Sequence, residues 1–132
     1  MNDMQLHPLK FQPILKDKIW GGSKLKTYLH KETTSNQVGE SWEISDVEGD
    51  CSIVANGSLK GTSLKELIDT YKENLVGEKI YQAFGNKFPL LIKFIDAKEN
   101  LSVQLHPDDE LAKERHNSFG KTEMWYIMQA DQ

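Results

Sequence analysis

The alternation of apolar and polar positions is weakest at the start of the chain and clearest in its middle. The first forty residues alternate poorly and contain the pair Gly21-Gly22, which predicts irregular structure with short extended pieces. Trp42-Glu43-Ile44-Ser45 alternates with period two, as a half-buried strand does. Residues 51–55 predict another short strand, closed by the turn pair Asn56-Gly57. The strongest helix signal starts at Ser63. Glu66 follows three positions later in a capping-box pattern. Leu64, Leu67, Ile68, Tyr71 and Leu75 then recur on one helical face, and Gly77 is the expected stop. A shorter helix is predicted over 78–84, before the Gly85-Asn86 turn. The apolar stripe reads as core packing.

From Phe88 the pattern changes to strands. Leu90-Leu91-Ile92-Lys93-Phe94-Ile95 is an apolar run of the kind buried on both faces. Leu101, Val103 and Leu105 then alternate with Ser102, Gln104 and His106, which predicts a strand whose aliphatic row packs on one side. A helical turn or two is predicted over 108–115, and a last strand over 123–128. Strands outnumber helices in this half, which favours a β-rich α+β or sandwich architecture. All four prolines stand at the beginnings or ends of extended segments, and no repeat or linker interrupts the chain, so residues 1–132 read as one domain.

Composition removes several classes. With 16 basic and 20 acidic residues the formal net charge is −4, and 38% of residues are hydrophobic, as expected of a soluble globular domain. An excess of acid argues against a dedicated nucleic-acid binder. No apolar run approaches the roughly 18 residues of a membrane span, and Met1–Lys10 lacks a leader's apolar core. The single cysteine, Cys51, cannot form an internal disulfide or a thiolate metal cluster and reads as a small core residue. The expectation is a cytoplasmic protein, with any metal held by nitrogen and oxygen.

Candidate chemistry concentrates in the second half. On an extended segment Ser102, Gln104 and His106 project together, and a glutamine oxygen and an imidazole nitrogen two residues apart can reach one cation. Glu123 can add a carboxylate from a second strand. Such a set suits zinc or a related divalent ion. The plainer reading is a half-exposed polar face and a surface glutamate. Lys93 is a second anomaly, because an unpaired ammonium inside an apolar run is costly. It either reaches a sheet edge, pairs with Asp96 or a glutamate such as Glu43, or answers the phosphate of a ligand. Lys121 would face the same way as Glu123 on an extended segment, or is simply solvated. Glu40 and Glu43, flanking Trp42, read as the polar face of an edge strand. His7, His30 and His116 read as surface residues.

Four segments together resemble a known family. Phe88-Pro-Leu-Leu-Ile-Lys-Phe-Ile-Asp-Ala-Lys-Glu-Asn-Leu-Ser-Val-Gln-Leu-His-Pro-Asp-Asp is similar to the signature of the mannose-6-phosphate isomerases (phosphomannose isomerases) of the zinc-dependent cupin type. Gly120-Lys-Thr-Glu-Met-Trp-Tyr resembles the next motif of that family in its short bacterial form. Ile19-Trp20-Gly21-Gly22 and Gly39-Glu40-Ser41-Trp42-Glu43-Ile44 resemble its N-terminal motifs, and all four stand in the family's order.

The resemblance implies a cupin jelly roll, incomplete here, with a helical elaboration over about 63–84. It implies an aldose–ketose isomerase of mannose 6-phosphate and fructose 6-phosphate. Gln104, His106 and Glu123 match three ligands of one zinc ion. Ser102 and Lys93 match the sugar-phosphate pocket, and Lys121 matches a lysine beside the metal. Lys93 and Lys121 are thereby candidates for the proton transfer. Gly120 stands where longer members carry a histidine, so no role of that histidine is carried over. Family members continue beyond this length with another ligating histidine and an active-site arginine. The expectation is therefore an N-terminal portion, as a fragment, a truncated product or a chain completed by another, with little isomerase activity by itself. Its unpaired sheet edges would invite self-association. The alternative is a non-catalytic cupin-like module that binds a sugar or a metal.

Overall fold

Val38, Gly39, Glu40 and Ser41 are buried in succession, the pattern of a strand covered on both faces. The structure, a computed structural model, describes residues 6–117 and 120–131. It divides into two units, Met1–Asn100 and Leu101–Gln132. The first runs β1 (Ile14–Gly22), α1 (Lys24–Thr27), β2 (Val38–Ile44), β3 (Asp46–Val47), β4 (Asp50–Cys51), α2 (Leu64–Tyr71), α3 (Glu73–Val76), α4 (Glu78–Phe84) and β5 (Ile92–Ile95). The second contains α5 (Asp109–His116).

The strand with the buried run, β2, is the centre of an antiparallel sheet ordered β1-β2-β5. β1 overturns the expectation of irregular structure in the first forty residues. Lys16, Asp17 and Lys18 spoil its period-two pattern, and register shifts after Lys16 and after Asp17 absorb the mismatch. Lys16 is held by Asp50 and lies over the Trp42 ring, 5.0 Å from its centre. Gly21 has to lack a side chain, because a Cβ there would strike the Gln37 carbonyl and the Gly39 nitrogen.

The helical elaboration starts as expected. The Ser63 Oγ accepts from the Glu66 N–H at 3.2 Å, and the Ser63 N–H donates to Glu66 Oε2 at 2.9 Å. Leu64, Leu67 and Ile68 are buried. Leu67 joins Val54 and Leu59 in a core on which Leu6, Leu9, Phe11, Tyr71 and Leu75 pack. The helix does not run to Gly77. Lys72 takes φ +50°, which ends α2 and starts α3 in a new direction.

The strand expected over 51–55 is broken. Cys51 pairs with Asp46, while Ile53 and Val54 make isolated bridges to Ser63 and Phe11. Cys51 is half-buried rather than enclosed, with its Sγ 3.8 Å from Asp46 Oδ1. His7 is half-buried, not a surface residue, and its Nε2 is enclosed without a hydrogen-bond partner among the described residues. β5 is shorter than the apolar run, and Leu90, Leu91 and Ile92 are exposed. Among the described residues β5 pairs only with β2, and the exposure of those three side chains shows that the run is not buried on both faces.

In the second unit, Asp108 caps α5 by accepting from the Leu111 N–H at 2.9 Å, and Asn117 ends it at φ +48°. The strands expected over 101–106 and 123–128 do not form. Val103 and Leu105 are 102% and 98% exposed, so the aliphatic row packs on nothing described. Alternation decides which side of a strand is apolar, but a strand exists only with a neighbour to bond. The sheet expected of the fold class is thus present as an open antiparallel body with short helices, and no barrel closes among the described residues. No helix among them is long and apolar enough to cross a membrane. Of the stretch Met1–Lys10, the first five residues lie outside the described residues.

Candidate functional site

The register of the sheet gives Lys93 its partner. Trp42 on β2 lies opposite Lys93 on β5, and Glu40, two residues along, shares their face. The Lys93 ammonium donates to Glu40 Oε1 at 2.9 Å, and the Trp42 indole N–H donates to Glu40 Oε2 at 2.8 Å. Both oxygens of a carboxylate only 8% exposed are therefore engaged. Burial works to raise the Glu40 pKa. The bonds from Trp42 and Lys93, with the charges of Lys93 and Lys18, outweigh it and hold the carboxyl below its ordinary range.

The partners expected for Lys93 are committed elsewhere. Asp96 Oδ2 accepts from the Lys24 N–H at 2.6 Å and so caps α1, a task Ser23's side chain leaves undone. Glu43 accepts from Ser41 Oγ at 2.6 Å and from Lys31 on the opposite face of the sheet. There the Lys31 ammonium lies 5.4 Å from the centre of the Phe94 ring. Glu40 is thus part of the Lys93 cluster rather than an edge-strand ornament. Nothing in the linear pattern links positions 40 and 93, and only the strand pairing brings them together.

In the second unit the other candidates form two small groups. Gln104 Nε2 donates to Ser102 Oγ at 3.3 Å. His106 Nε2 stands 3.6 Å from Glu123 Oε2, and Lys121 Nζ stands 3.1 Å from Glu123 Oε1. His106 and Glu123 are partly shielded, while Lys121 is about half exposed. The bond from Lys121 is the main reason the Glu123 carboxyl sits below its ordinary range. Slight burial opposes it, and the charges of Lys121 and His106 and the Trp125 indole reinforce it.

The donor chemistry fits a divalent cation. Two ligands at about 2.0–2.1 Å from a tetrahedral ion lie roughly 3.3 Å apart. The 3.6 Å between His106 Nε2 and Glu123 Oε2 is close to that spacing. Gln104 offers a further oxygen from the same segment as His106. Among the described residues, no three His, Cys, Asp or Glu side chains gather at metal-binding distance.

Comparison with known proteins gives one consistent family. A model of the phosphomannose isomerase type I catalytic domain matches residues 8–126. Mannose-6-phosphate isomerase ManA of Bacillus subtilis is 41% identical over 95% of this chain, and the Streptococcus mutans mannose-6-phosphate isomerase is 40% identical over 95%. The match covers 38% of each of those two proteins, so the chain spans well under half the length of these curated relatives. The crystal structure of the Bacillus subtilis mannose 6-phosphate isomerase superposes with a TM-score of 0.75 at 37% identity, covering 87% of this chain and 35% of that one.

Proposed function

The chain belongs to the type I phosphomannose isomerase family, over its catalytic domain, and from that premise we propose that the full natural protein carrying these residues interconverts mannose 6-phosphate and fructose 6-phosphate. The observation that carries the reading is the gathering of His106 and Lys121 on one carboxylate, Glu123, with separations of 3.6 and 3.1 Å. In this reading Gln104, His106 and Glu123 hold one zinc ion. The chemistry zinc supplies when bound there is Lewis-acid stabilisation of negative charge on a sugar oxygen.

The chain's own residues account for the rest. Aldose–ketose exchange moves a proton between neighbouring carbons through an enediol, so the site needs a fixed anchor for the phosphate and a group that carries the proton. Lys93 and Ser102 are the groups that bind the sugar phosphate. Lys121 is an amine beside the proposed ligand set, and with Lys93 it completes the pair available for proton transfer. Neutral imidazole is the ligating form of His106. The reading carries a cytoplasmic setting and a small-molecule partner. The exposure of Val103 and Leu105 supports self-association through that unpaired segment.

The test uses the full natural chain that carries these residues. Elemental analysis is expected to find one zinc per chain, and a coupled assay to find conversion of mannose 6-phosphate. His106→Ala and Glu123→Gln are each expected to remove both. Full zinc content in both variants would overturn the ligand set, and zinc bound without turnover in the unaltered protein would favour a binding module.

A further inference from the structure

A carboxylate buried in a sheet must have its charge answered, and the way Glu40 is answered is informative. Its side chain lies against two donors of different kinds. The Trp42 indole belongs to the same strand, two residues on, and is the stiffer of the two donors, with only two rotatable side-chain bonds. The Lys93 ammonium arrives from β5 on a flexible four-carbon stem. One donor therefore fixes the carboxylate, and the carboxylate in turn fixes the amine. The surroundings agree. Lys16, across from Glu40 on β1, is drawn away to Asp50 and to the outer face of the Trp42 ring, so it does not compete for Glu40. Lys93 keeps 19% of its side chain exposed against 10% for Glu40, so the lysine is the more open of the two partners.

We propose that Glu40, aimed by Trp42, is a positioning residue that holds Lys93 as an oriented ammonium for the sugar phosphate. This rests on the isomerase reading above and deepens it. Held on Glu40 at 2.9 Å, the Lys93 ammonium serves as a fixed cation. A free lysine would lose rotamer freedom on meeting an anion, whereas one already held loses less.

Two measurements test it, and they fail separately. The first needs no turnover. Acetylation with a small amine-directed reagent, read by mass spectrometry site by site, is expected to modify Lys93 several-fold faster in Glu40→Gln than in the unaltered protein. Lys60, in the turn before α2, and Lys65, on α2, serve as internal references. The second is kinetic, in the full natural chain. Glu40→Gln is expected to raise KM for mannose 6-phosphate roughly tenfold with a much smaller change in kcat, the sign of lost ground-state binding. Glu40→Asp is expected to recover part of that loss, and Trp42→Phe to fall between the two. Equal labelling of Lys93 in both proteins, or a loss confined to kcat, would overturn the proposal. Faster labelling in Glu40→Gln with no turnover in the unaltered protein would instead remove the isomerase reading and the phosphate role with it, leaving only the clamp.

Discussion

Gly22 and Asp96 are far apart in sequence but share one small space, and that makes a quantitative prediction. A Cβ on residue 22 would lie 2.5 Å from Asp96 Oδ2 and 2.9 Å from its Cγ. The Asp96 backbone cannot retreat easily, because its N–H donates to the Gly39 carbonyl at 2.9 Å. In Gly22→Ala the carboxylate must therefore swing off the Lys24 N–H, which it now accepts at 2.6 Å. A hydrogen bond to a charged group contributes about 1.5–3 kcal/mol, so Gly22→Ala is expected to cost about 2 kcal/mol. Asp96→Ala removes the same bond directly and is expected to cost about the same. The double variant gains the methyl group but has no carboxylate left to displace. Its cost should stay near 2 kcal/mol rather than reach the additive value of about 4, a coupling of about 2 kcal/mol. Urea unfolding of the four proteins measures this. With a slope of about 2 kcal/mol per molar, each single variant and the double should share a midpoint roughly 1 M below the parent. A double variant whose midpoint falls by the sum of the single shifts would show that the methyl group and the carboxylate do not compete, and the geometric argument would be wrong.

Two further outcomes follow from local geometry. Ser63→Ala removes the acceptor for the Glu66 N–H and should lower stability by about 1 kcal/mol, seen as a drop of a few degrees in the thermal midpoint. An unchanged midpoint would mean the helix start is held by tertiary packing alone. Glu40 sets a pH dependence with a definite sign. Its folded pKa lies below its unfolded value, so its contribution is present above the ordinary glutamate range and is lost as pH falls through the lower, folded value. Between about pH 5 and pH 3 the unaltered protein should lose stability more steeply than Glu40→Gln, measured as urea midpoints at each pH. Parallel curves would contradict the burial and bonding assigned to that carboxylate.

The elements whose rules are local were legible in the sequence. Ser63 and Glu66 announce a capped helix, and Asp108 announces the start of α5, because capping needs only residues three or four apart. The break at Lys72 was not legible. Tyr71 and Leu75 continue the apolar face across it, and the turn depends on a non-glycine residue adopting positive φ. β1 was hidden because Lys16, Asp17 and Lys18 break the alternation, and its partners lie between 16 and 28 residues away. The segments over 101–106 and 123–128 show the converse. The first alternates well and the second is strongly apolar, yet pairing is a property of two segments, and one alone does not dictate it. At the candidate site, His106 and Lys121 lie beside Glu123, while Gln104 stands beside Ser102 in a separate group. Glu40 reads as an edge-strand polar residue because its partner comes from a strand fifty residues on.

The central strand of the sheet also acts as a parity device. Glu40 and Glu43 are three residues apart, an odd step, so one carboxylate meets Lys93 on one side and the other meets Lys31 on the reverse. Deleting or inserting a single residue between Val38 and Glu40 would exchange the two sides. Each acid would then confront the wrong lysine, and Trp42 would turn its indole toward the layer that Phe94 now occupies. This stretch should therefore accept substitutions far more readily than changes in length.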